Sequence, residues 1–378
     1  MSRALRCWAA ASLVLVLVLV LVACSSGPEK PKPTPLENLT PKVAGRQVWR
    51  HDLGTVRFPL RMAATADAVV LASSDGGVFA LAAEGGRELW RGDANGKLSA
   101  GVGSDGRYAS VVTTDNELVV LDAGKPLWRA RLPTRVVTPP LVAGERVFVL
   151  GVDRSVQAFD VLDGRKLWVQ QRAGDPLTLL QPGVLLPYKD TLVVGHGARL
   201  AGLDPLRGTL RWEATVASPR GTNEVERLAD LVGPAVRVGE TICARGFQVA
   251  VGCVNAERGV ATWAKNVGGT TGVAADEQFV YGADASDRIS AWKRVGGDVA
   301  WTSERLLYRN LSAPLVAGRA LVFGDFEGQV HFIDPENGQA LLRLPTDGKA
   351  IIGAPVKAGD TIVVLTQAGG VFAFRPQP

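Results

Sequence analysis

Histidine and cysteine are scarce in this sequence, with three and four among 378 residues. The histidines, His51, His196 and His331, lie far apart, which argues against a metal site built on imidazole ligands. Each is therefore interpreted as a surface or a satisfied core residue. The net charge of +5 is small for this length and gives no sign of a nucleic-acid-binding surface.

Long apolar runs are also lacking, apart from residues 9–22 near the start. That run is too short for a membrane-spanning helix, which needs about 20 residues. It follows a basic start and ends in Leu-Val-Ala-Cys at 21–24, a pattern typical of a bacterial lipoprotein signal. We predict a signal peptide over residues 1–23 and lipidation of Cys24.

Residues 25–35 contain much Pro, Lys and Ser and have no apolar period, and we predict an extended tether over residues 24–42. By the usual sorting rules for lipoproteins, Ser25 after the lipidated cysteine favours the periplasmic side of the outer membrane. Export would leave only Cys243 and Cys253 as thiols. They flank a predicted hairpin, so they could form a cross-strand disulfide or remain two buried thiols.

Tryptophan recurs at a nearly constant spacing, and this repeat is the main evidence for the fold. Gaps of 41, 38, 40, 44, 51 and 38 residues separate seven of the nine tryptophans, and Leu342 holds the same position 41 residues later. A period of about 40 residues is typical of a β-propeller blade. The seven are Trp49, Trp90, Trp128, Trp168, Trp212, Trp263 and Trp301.

A glycine stands four residues before each of these positions, as Gly164 does before Trp168. An acid stands a further four residues before the glycine in three of the units, at Asp160, Asp204 and Asp334, and other units have Asn255, Ala82 or Lys293 there. Short alternating strands precede each motif, with turn residues between them and no long helical period. We predict an all-β fold of four-stranded blades with strands A to D. The motif would form the C–D turn, and the tryptophan on the outer strand D would fill the wedge between blades.

The strand count predicts an eight-bladed propeller over residues 43–378. Three strands follow Leu342 without a fourth, whereas residues 47–50 form a strand D that has no blade of its own. The N-terminal strand should therefore complete the last blade and leave no open sheet edge. Removal of residues 43–50 is expected to destabilise the whole domain.

Two D-to-A connections, residues 172–182 and 217–230, are longer than the rest. They belong to successive blades, so they should be neighbours on one face of the ring. The first carries apolar residues, which could tuck under the loop as a small cluster or form an exposed patch for a partner. The second carries charged residues that could form a polar rim. The candidate partner-binding residues are Leu177, Leu179, Leu180, Glu224, Arg227 and Asp230.

The lipobox, the tether, the repeats and the long loops together resemble the BamB family of lipoproteins of the bacterial outer-membrane β-barrel assembly (BAM) complex. Residues 223–230 are similar to that family's acid-x-acid-Arg-Leu-x-Asp stretch, and Leu177 and Leu179 match its two leucines. Leu180 departs from the family pattern, where an arginine is expected, and Val232 departs where a second aspartate is expected.

The resemblance implies a monomeric, non-catalytic scaffold that has no cofactor and does not bind nucleic acid. It would be held to the membrane by Cys24 and would bind the periplasmic POTRA domains of BamA through the two loops, while outer-membrane proteins fold and insert. Partner-strand addition to a blade edge is a second binding mode.

Two other functions share the propeller architecture. A pyrroloquinoline-quinone dehydrogenase would need a calcium site of carboxylate and amide ligands, an acidic base in a central pocket and usually two adjacent cysteines. The sequence has no Cys-Cys pair and no evident acidic cluster on an inner strand. A propeller that binds another periplasmic protein or a glycan is the remaining alternative. A tightly bound quinone or calcium ion would favour the enzyme.

Overall fold

The computed structural model describes residues 31–54, 56–58, 60–172, 177–219, 222–225 and 227–377. Within these ranges the chain forms eight four-stranded antiparallel sheets. None of the described segments is a helix long and apolar enough to cross a membrane. The predicted signal peptide and the lipidation site Cys24 lie outside the described residues.

The first four blades follow one another along the chain. Blade 1 contains β2 (Ala63–Ala64), β3 (Ala68–Ala72), β4 (Gly77–Ala82) and β5 (Glu88–Asp93). Blade 2 contains β6 (Leu98–Ser104), β7 (Tyr108–Thr113), β8 (Glu117–Asp122) and β9 (Lys125–Arg131). Blade 3 contains β10 (Leu141–Ala143), β11 (Arg146–Leu150), β12 (Val156–Asp160) and β13 (Lys166–Gln170). Blade 4 contains β14 (Leu185–Tyr188), β15 (Thr191–His196), β16 (Arg199–Leu203) and β17 (Leu210–Thr215).

The last four blades include the one that closes the ring. Blade 5 contains β18 (Leu231–Val238), β19 (Thr241–Gly246), β20 (Ala250–Asn255) and β21 (Val260–Lys265). Blade 6 contains β22 (Ala274–Ala275), β23 (Phe279–Ala283), β24 (Ile289–Lys293) and β25 (Val299–Ser303). Blade 7 contains β26 (Leu315–Ala317), β27 (Ala320–Gly324), β28 (Gln329–Ile333) and β29 (Ala340–Pro345). Blade 8 contains β30 (Ile351–Ala358), β31 (Thr361–Thr366), β32 (Gly370–Gln377) and β1 (Ala44–Asp52).

The N-terminal strand closes the ring, as the sequence predicts. Strand β1 pairs antiparallel with β32, from Ala44 opposite Gln377 to Asp52 opposite Gly370. The indole of Trp49 is buried, and its Nε1 donates a hydrogen bond to the carbonyl of Ala83 in blade 1 at 2.9 Å. The all-β fold and the eight blades are thereby confirmed.

The hydrophobic core lies between the blades rather than at the centre of the ring. In the part of the chain that the structure describes, buried side chains form eight clusters, and each of them combines residues of two neighbouring blades. Strands B and C supply most of these residues, whereas the outer strands D alternate between half-buried and exposed positions. Each blade therefore depends on both neighbours for its burial.

The glycine of the repeated motif lies beneath the tryptophan of the preceding blade. A Cβ built on Gly164 would come within 2.6 Å of Trp128 Cδ2, and the same Trp128 donates from Nε1 to the carbonyl of Val161 at 2.8 Å. The backbone at Gly164 has a φ of 72°, in the left-handed region. Asp160 completes the turn, since its Oδ1 accepts the amide of Leu162 at 2.9 Å.

Substitution Gly164→Ala is expected to lower the free energy of unfolding more than Gly144→Ala does. Both glycines have positive φ, which costs an alanine about 1–2 kcal/mol. No atom lies within 4 Å of a Cβ at Gly144, so only Gly164→Ala also displaces a tryptophan. Overpacking should add about 1–3 kcal/mol. Denaturant titration of the two variants measures the difference, and equal losses would refute the packing role of Gly164.

Cys243 and Cys253 face one another on β19 and β20 of blade 5. Their sulfurs are joined in a disulfide, and both residues are 1 % exposed. The structure thus has the cross-strand disulfide, one of the two arrangements that the sequence left open.

Candidate protein-docking surface

The two long D-to-A connections meet on one face of the ring. One joins β13 of blade 3 to β14 of blade 4, and the other joins β17 to β18 of blade 5. The backbone amide of Leu179 in the first donates to Asp230 Oδ2 in the second at 2.8 Å. We call the surface formed by the described residues 177–180, 222–225 and 227–230 the docking surface.

Asp230 holds the two loops together. Its Oδ1 accepts a hydrogen bond from Arg154 Nη2 at 3.3 Å, and the same nitrogen lies 3.4 Å from the carbonyl of Leu177. The side chains of Arg154 and Asp230 are 15 % and 18 % exposed. Both carboxylate oxygens of Asp230 therefore have intramolecular partners. Asp230, which the sequence analysis predicts to contact a partner, instead holds the docking loops in place through bonds within the protein.

Apolar side chains project from both loops. Leu177 is 37 % exposed and Leu180 is 61 % exposed, whereas Leu179 is half-buried. Val225, at the tip of the second loop, is 72 % exposed, and it was not among the residues predicted to bind a partner. The first loop therefore combines the two arrangements considered above, because one leucine is tucked in and two face solvent. Exposed apolar side chains that lie together are typical of protein-binding surfaces.

Charged residues flank Val225, since Glu224 and Arg227 are both exposed. A short turn fixes this tip. The amide of Arg227 donates to the carbonyl of Asn223 at 3.2 Å, and the amide of Leu228 donates to the carbonyl of Val225 at 3.2 Å. The arrangement matches the polar rim that surrounds the apolar centre of many protein interfaces.

An ionic cluster lies beside the first loop. Arg172 Nη1 is 2.6 Å from Glu213 Oε1, and Arg199 Nη1 is 3.0 Å from Glu213 Oε2. Burial opposes ionisation of Glu213, but the two guanidinium groups hold its pKa below the usual value. The cluster ties the beginning of the loop to the outer strand of blade 4.

His196 is buried next to this cluster, and neither ring nitrogen has a hydrogen-bond partner. Burial lowers the pKa of His196 to about 4; the nearby positive charges of Arg172 and Arg154 act in the same direction, and Glu213 acts against them. The imidazole is therefore neutral in the folded protein at pH 7. An unfolded chain takes up the proton at about pH 6.5.

Stability is expected to fall as the pH drops below 6.5, because protonation of His196 then favours the unfolded chain. Between pH 7 and pH 5 the lost free energy from this residue is about 2 kcal/mol. The variant His196→Leu should lose less stability over the same interval by about that amount. Urea titrations of both proteins at the two pH values measure it. Identical pH dependence in the two proteins would rule out the role of His196.

Among the described residues, no group of three or more His, Cys, Asp or Glu side chains is placed to hold a metal ion. The docking surface is instead built from loops, hydrogen bonds and exposed apolar groups, which is the chemistry of protein recognition.

Comparison with known proteins identifies the class of propeller. The family model described as outer membrane protein assembly factor BamB matches residues 74–303. The chain belongs to the BamB family. The resemblance that the lipobox, repeats and loops suggested is thereby confirmed.

Relatives from other bacteria match over nearly the whole length. An outer membrane protein assembly factor BamB from Burkholderia pseudomallei is 37 % identical over 348 residues, which cover 91 % of each chain. One from Bordetella pertussis is 34 % identical over 345 residues, covering 90 % of this chain and 89 % of the relative.

Solved structures agree on the fold. BamB from Moraxella catarrhalis superposes with a TM-score of 0.79 at 23 % identity, and covers 88 % of this chain and all of that one. Quinohemoprotein alcohol dehydrogenase from Comamonas testosteroni gives a TM-score of 0.67 at 15 % identity, over 88 % of this chain and 76 % of the enzyme. At these identities the likeness concerns the eight-bladed architecture and not the activity.

Proposed function

We propose that the protein is a non-catalytic scaffold of the BAM complex, which binds the periplasmic POTRA domains of BamA and so aids the folding and insertion of outer-membrane proteins. Membership of the BamB family supports the role in outer-membrane protein assembly. The single structural observation behind the proposed binding is the docking surface, where exposed Leu177, Leu180 and Val225 lie on loops fixed by Asp230.

The geometry of the docking surface favours a folded protein as its partner. Both loops are held by hydrogen bonds that cross between blades, so the surface is formed before binding and little ordering entropy opposes the association. Leu180 and Val225 would supply the apolar centre, and Glu224 and Arg227 would supply a rim that selects the orientation of the partner.

Lipidation of Cys24 would hold this scaffold at the periplasmic side of the outer membrane. The proposal rests on the lipobox at residues 21–24 and on Ser25 after it. A propeller tethered to the membrane would have a high local concentration near a partner that is embedded in the same membrane.

The proposed function is tested with the soluble domain, in which the chain begins at residue 24 and carries Cys24→Ser. Purified POTRA domains of BamA are expected to retain this domain on a column and to bind it in solution with a defined stoichiometry. Absence of binding would contradict the scaffold function. Mass spectrometry and absorbance of the same sample test the dehydrogenase alternative, because a stoichiometric quinone would support an enzyme.

A further inference from the structure

Residues 34–43, which we call the strap, pack against the outside of the propeller before β1 begins. The amide of Thr34 donates to the carbonyl of Leu307 at 3.0 Å, and the amide of Lys42 donates to the carbonyl of Leu341 at 2.8 Å. Leu36 packs against the buried cluster shared by blades 6 and 7, and Val43 packs against the cluster shared by blades 7 and 8.

The positions of the two backbone contacts on blade 7 give the strap a direction. Leu307 lies in the D-to-A connection between β25 and β26, whereas Leu341 lies at the start of β29, next to a C–D turn. The strap therefore runs from the D-to-A face to the opposite face along blade 7, antiparallel to β29. Arg343 of β29 confirms this course, since its Nη1 donates to the carbonyl of Glu37 at 3.0 Å.

A buried arginine fixes the beginning of the strap. Arg309 is 2 % exposed, and its Nη1 donates to the carbonyl of Thr34 at 3.1 Å. Its Nε lies 2.8 Å from Asp325 Oδ2, which also accepts His331 Nε2 at 2.9 Å. The guanidinium is paired and hydrogen-bonded on several sides, so the contact to Thr34 is part of a rigid network.

We propose that the strap fixes the point at which the chain leaves the propeller, so that the D-to-A face is turned toward the membrane. This inference rests on the proposed lipidation of Cys24. Thr34 is ten positions after Cys24, and even a fully extended chain spans only about 35 Å over that length. The blade edge at Thr34 is therefore held within that distance of the lipid surface. The opposite face is about 20 Å from this edge, the length of a six-residue strand, and in the proposed orientation it is the farther of the two faces from the lipid.

The docking surface lies on this same D-to-A face, which gives the strap a function. The chain leaves the propeller at Thr34, at the junction of blades 6 and 7, whereas the docking loops follow blades 3 and 4. A partner domain bound to the docking surface would lie on the membrane side of the propeller. The partner that fits this arrangement is a periplasmic domain connected directly to a membrane-embedded barrel.

The test places one fluorophore on each face of blade 6 of the lipidated full-length protein in liposomes whose headgroups carry an acceptor dye. Glu304→Cys labels the D-to-A side and Val295→Cys the opposite side, and both positions are exposed. Cys243 and Cys253 are joined and buried, so they do not compete for the label. We expect energy transfer about twofold higher from position 304 than from position 295.

Releasing the strap should remove this difference. Leu36→Asp places a charge against the apolar cluster of blades 6 and 7, and trypsin is then expected to cut at Lys42 in the folded protein. Transfer from the two positions should become equal. A second variant keeps the strap and adds about 30 Gly and Ser residues between residues 32 and 33, and it should equalise the energy transfer while Lys42 stays resistant to trypsin.

Equal transfer from the two positions in the unmodified strap would overturn the inference, and so would an unchanged difference after Lys42 becomes cleavable. A mass spectrum without acyl chains on Cys24 would overturn the lipid anchor and this orientation together. The binding of POTRA domains is measured with the soluble domain, so its outcome does not depend on the lipid anchor or on the orientation of the propeller.

Discussion

A chain that begins at Leu53 is expected to lose its cooperative unfolding transition, because it lacks the strand that closes the ring. Removing β1 leaves β32 as an open sheet edge of eight residue pairs and exposes the cluster between blades 8 and 1. Loss of a buried tryptophan such as Trp49 alone costs about 3–5 kcal/mol. The total is comparable with the entire stability of a typical domain, which is about 5–15 kcal/mol.

The matched control is a chain that begins at Ala44, which lacks the strap but keeps β1 complete. It should unfold in one transition at a somewhat lower denaturant concentration, since it loses Leu36 and Val43 from their clusters. Calorimetry and near-ultraviolet circular dichroism distinguish the two chains. A sharp transition at the same midpoint for the chain beginning at Leu53 would contradict closure by β1.

The second large effect is expected on the affinity for the POTRA domains of BamA. The triple substitution Leu177→Ala, Leu180→Ala and Val225→Ala removes the most exposed apolar groups of the docking surface. Burial of a leucine or valine side chain stabilises a complex by about 1.5–3 kcal/mol when it is complete. Partial burial of three such groups corresponds to a weakening of about 100-fold, or about 3 kcal/mol.

The opposite face supplies the control for this experiment. Leu162 and Leu206 lie on C–D turns and are 62 % and 61 % exposed, close to the value for Leu180. Alanine at both positions removes two leucines that are as exposed as Leu180 and should leave the affinity unchanged. Calorimetric titration gives both constants. Weaker binding by the control and unchanged binding by the triple variant would move the interface to the other face.

Asp230 is expected to act differently from the three apolar residues, because its oxygens bond to Leu179 and Arg154 within the protein. Its substitution by alanine would release the first loop, so it should slow association as well as weaken the complex. The leucines, by contrast, should mainly change dissociation. The kinetic distinction separates a residue that shapes the surface from residues that touch the partner.

The architecture could be predicted from the sequence because each blade has a local chemical marker. A glycine is required where Trp128 lies against the next C–D turn, and an acid is favoured where Asp160 bonds the turn amides, so both residues recur at a fixed spacing. Only three strands follow residue 342, so the N-terminal strand could be predicted to complete the last blade. Such markers are visible because their contacts are repeated in successive blades.

The details of the docking surface could not be predicted in the same way. Asp230 bonds to Arg154, which lies 76 residues away, and no local pattern in the sequence records that contact. Val225 stands among polar residues, so only its position at the tip of a turn identifies it as exposed. Loop conformations depend on tertiary contacts, and these contacts occur only once in the chain.

The packing of the strap could not be predicted from its composition. Residues 24–42 contain much Pro and Lys, which indicates an extended tether, and the half-buried Leu36 and Leu39 stand among polar residues. Leu36 packs against a buried cluster that includes Leu306 and Leu311 of the distant connection between β25 and β26. The described part of the predicted tether therefore includes a segment that packs on blades 6 and 7.

Site-specific photo-cross-linking in intact membranes tests the central claim most directly. A photoreactive residue at position 180 lies on the docking surface, and one at position 206 lies on the opposite face with nearly the same exposure. After irradiation, the protein with the probe at position 180 should become covalently joined to the periplasmic part of BamA, and the protein with the probe at position 206 should not. An adduct with BamA from position 206 and none from position 180 would contradict the proposed docking surface.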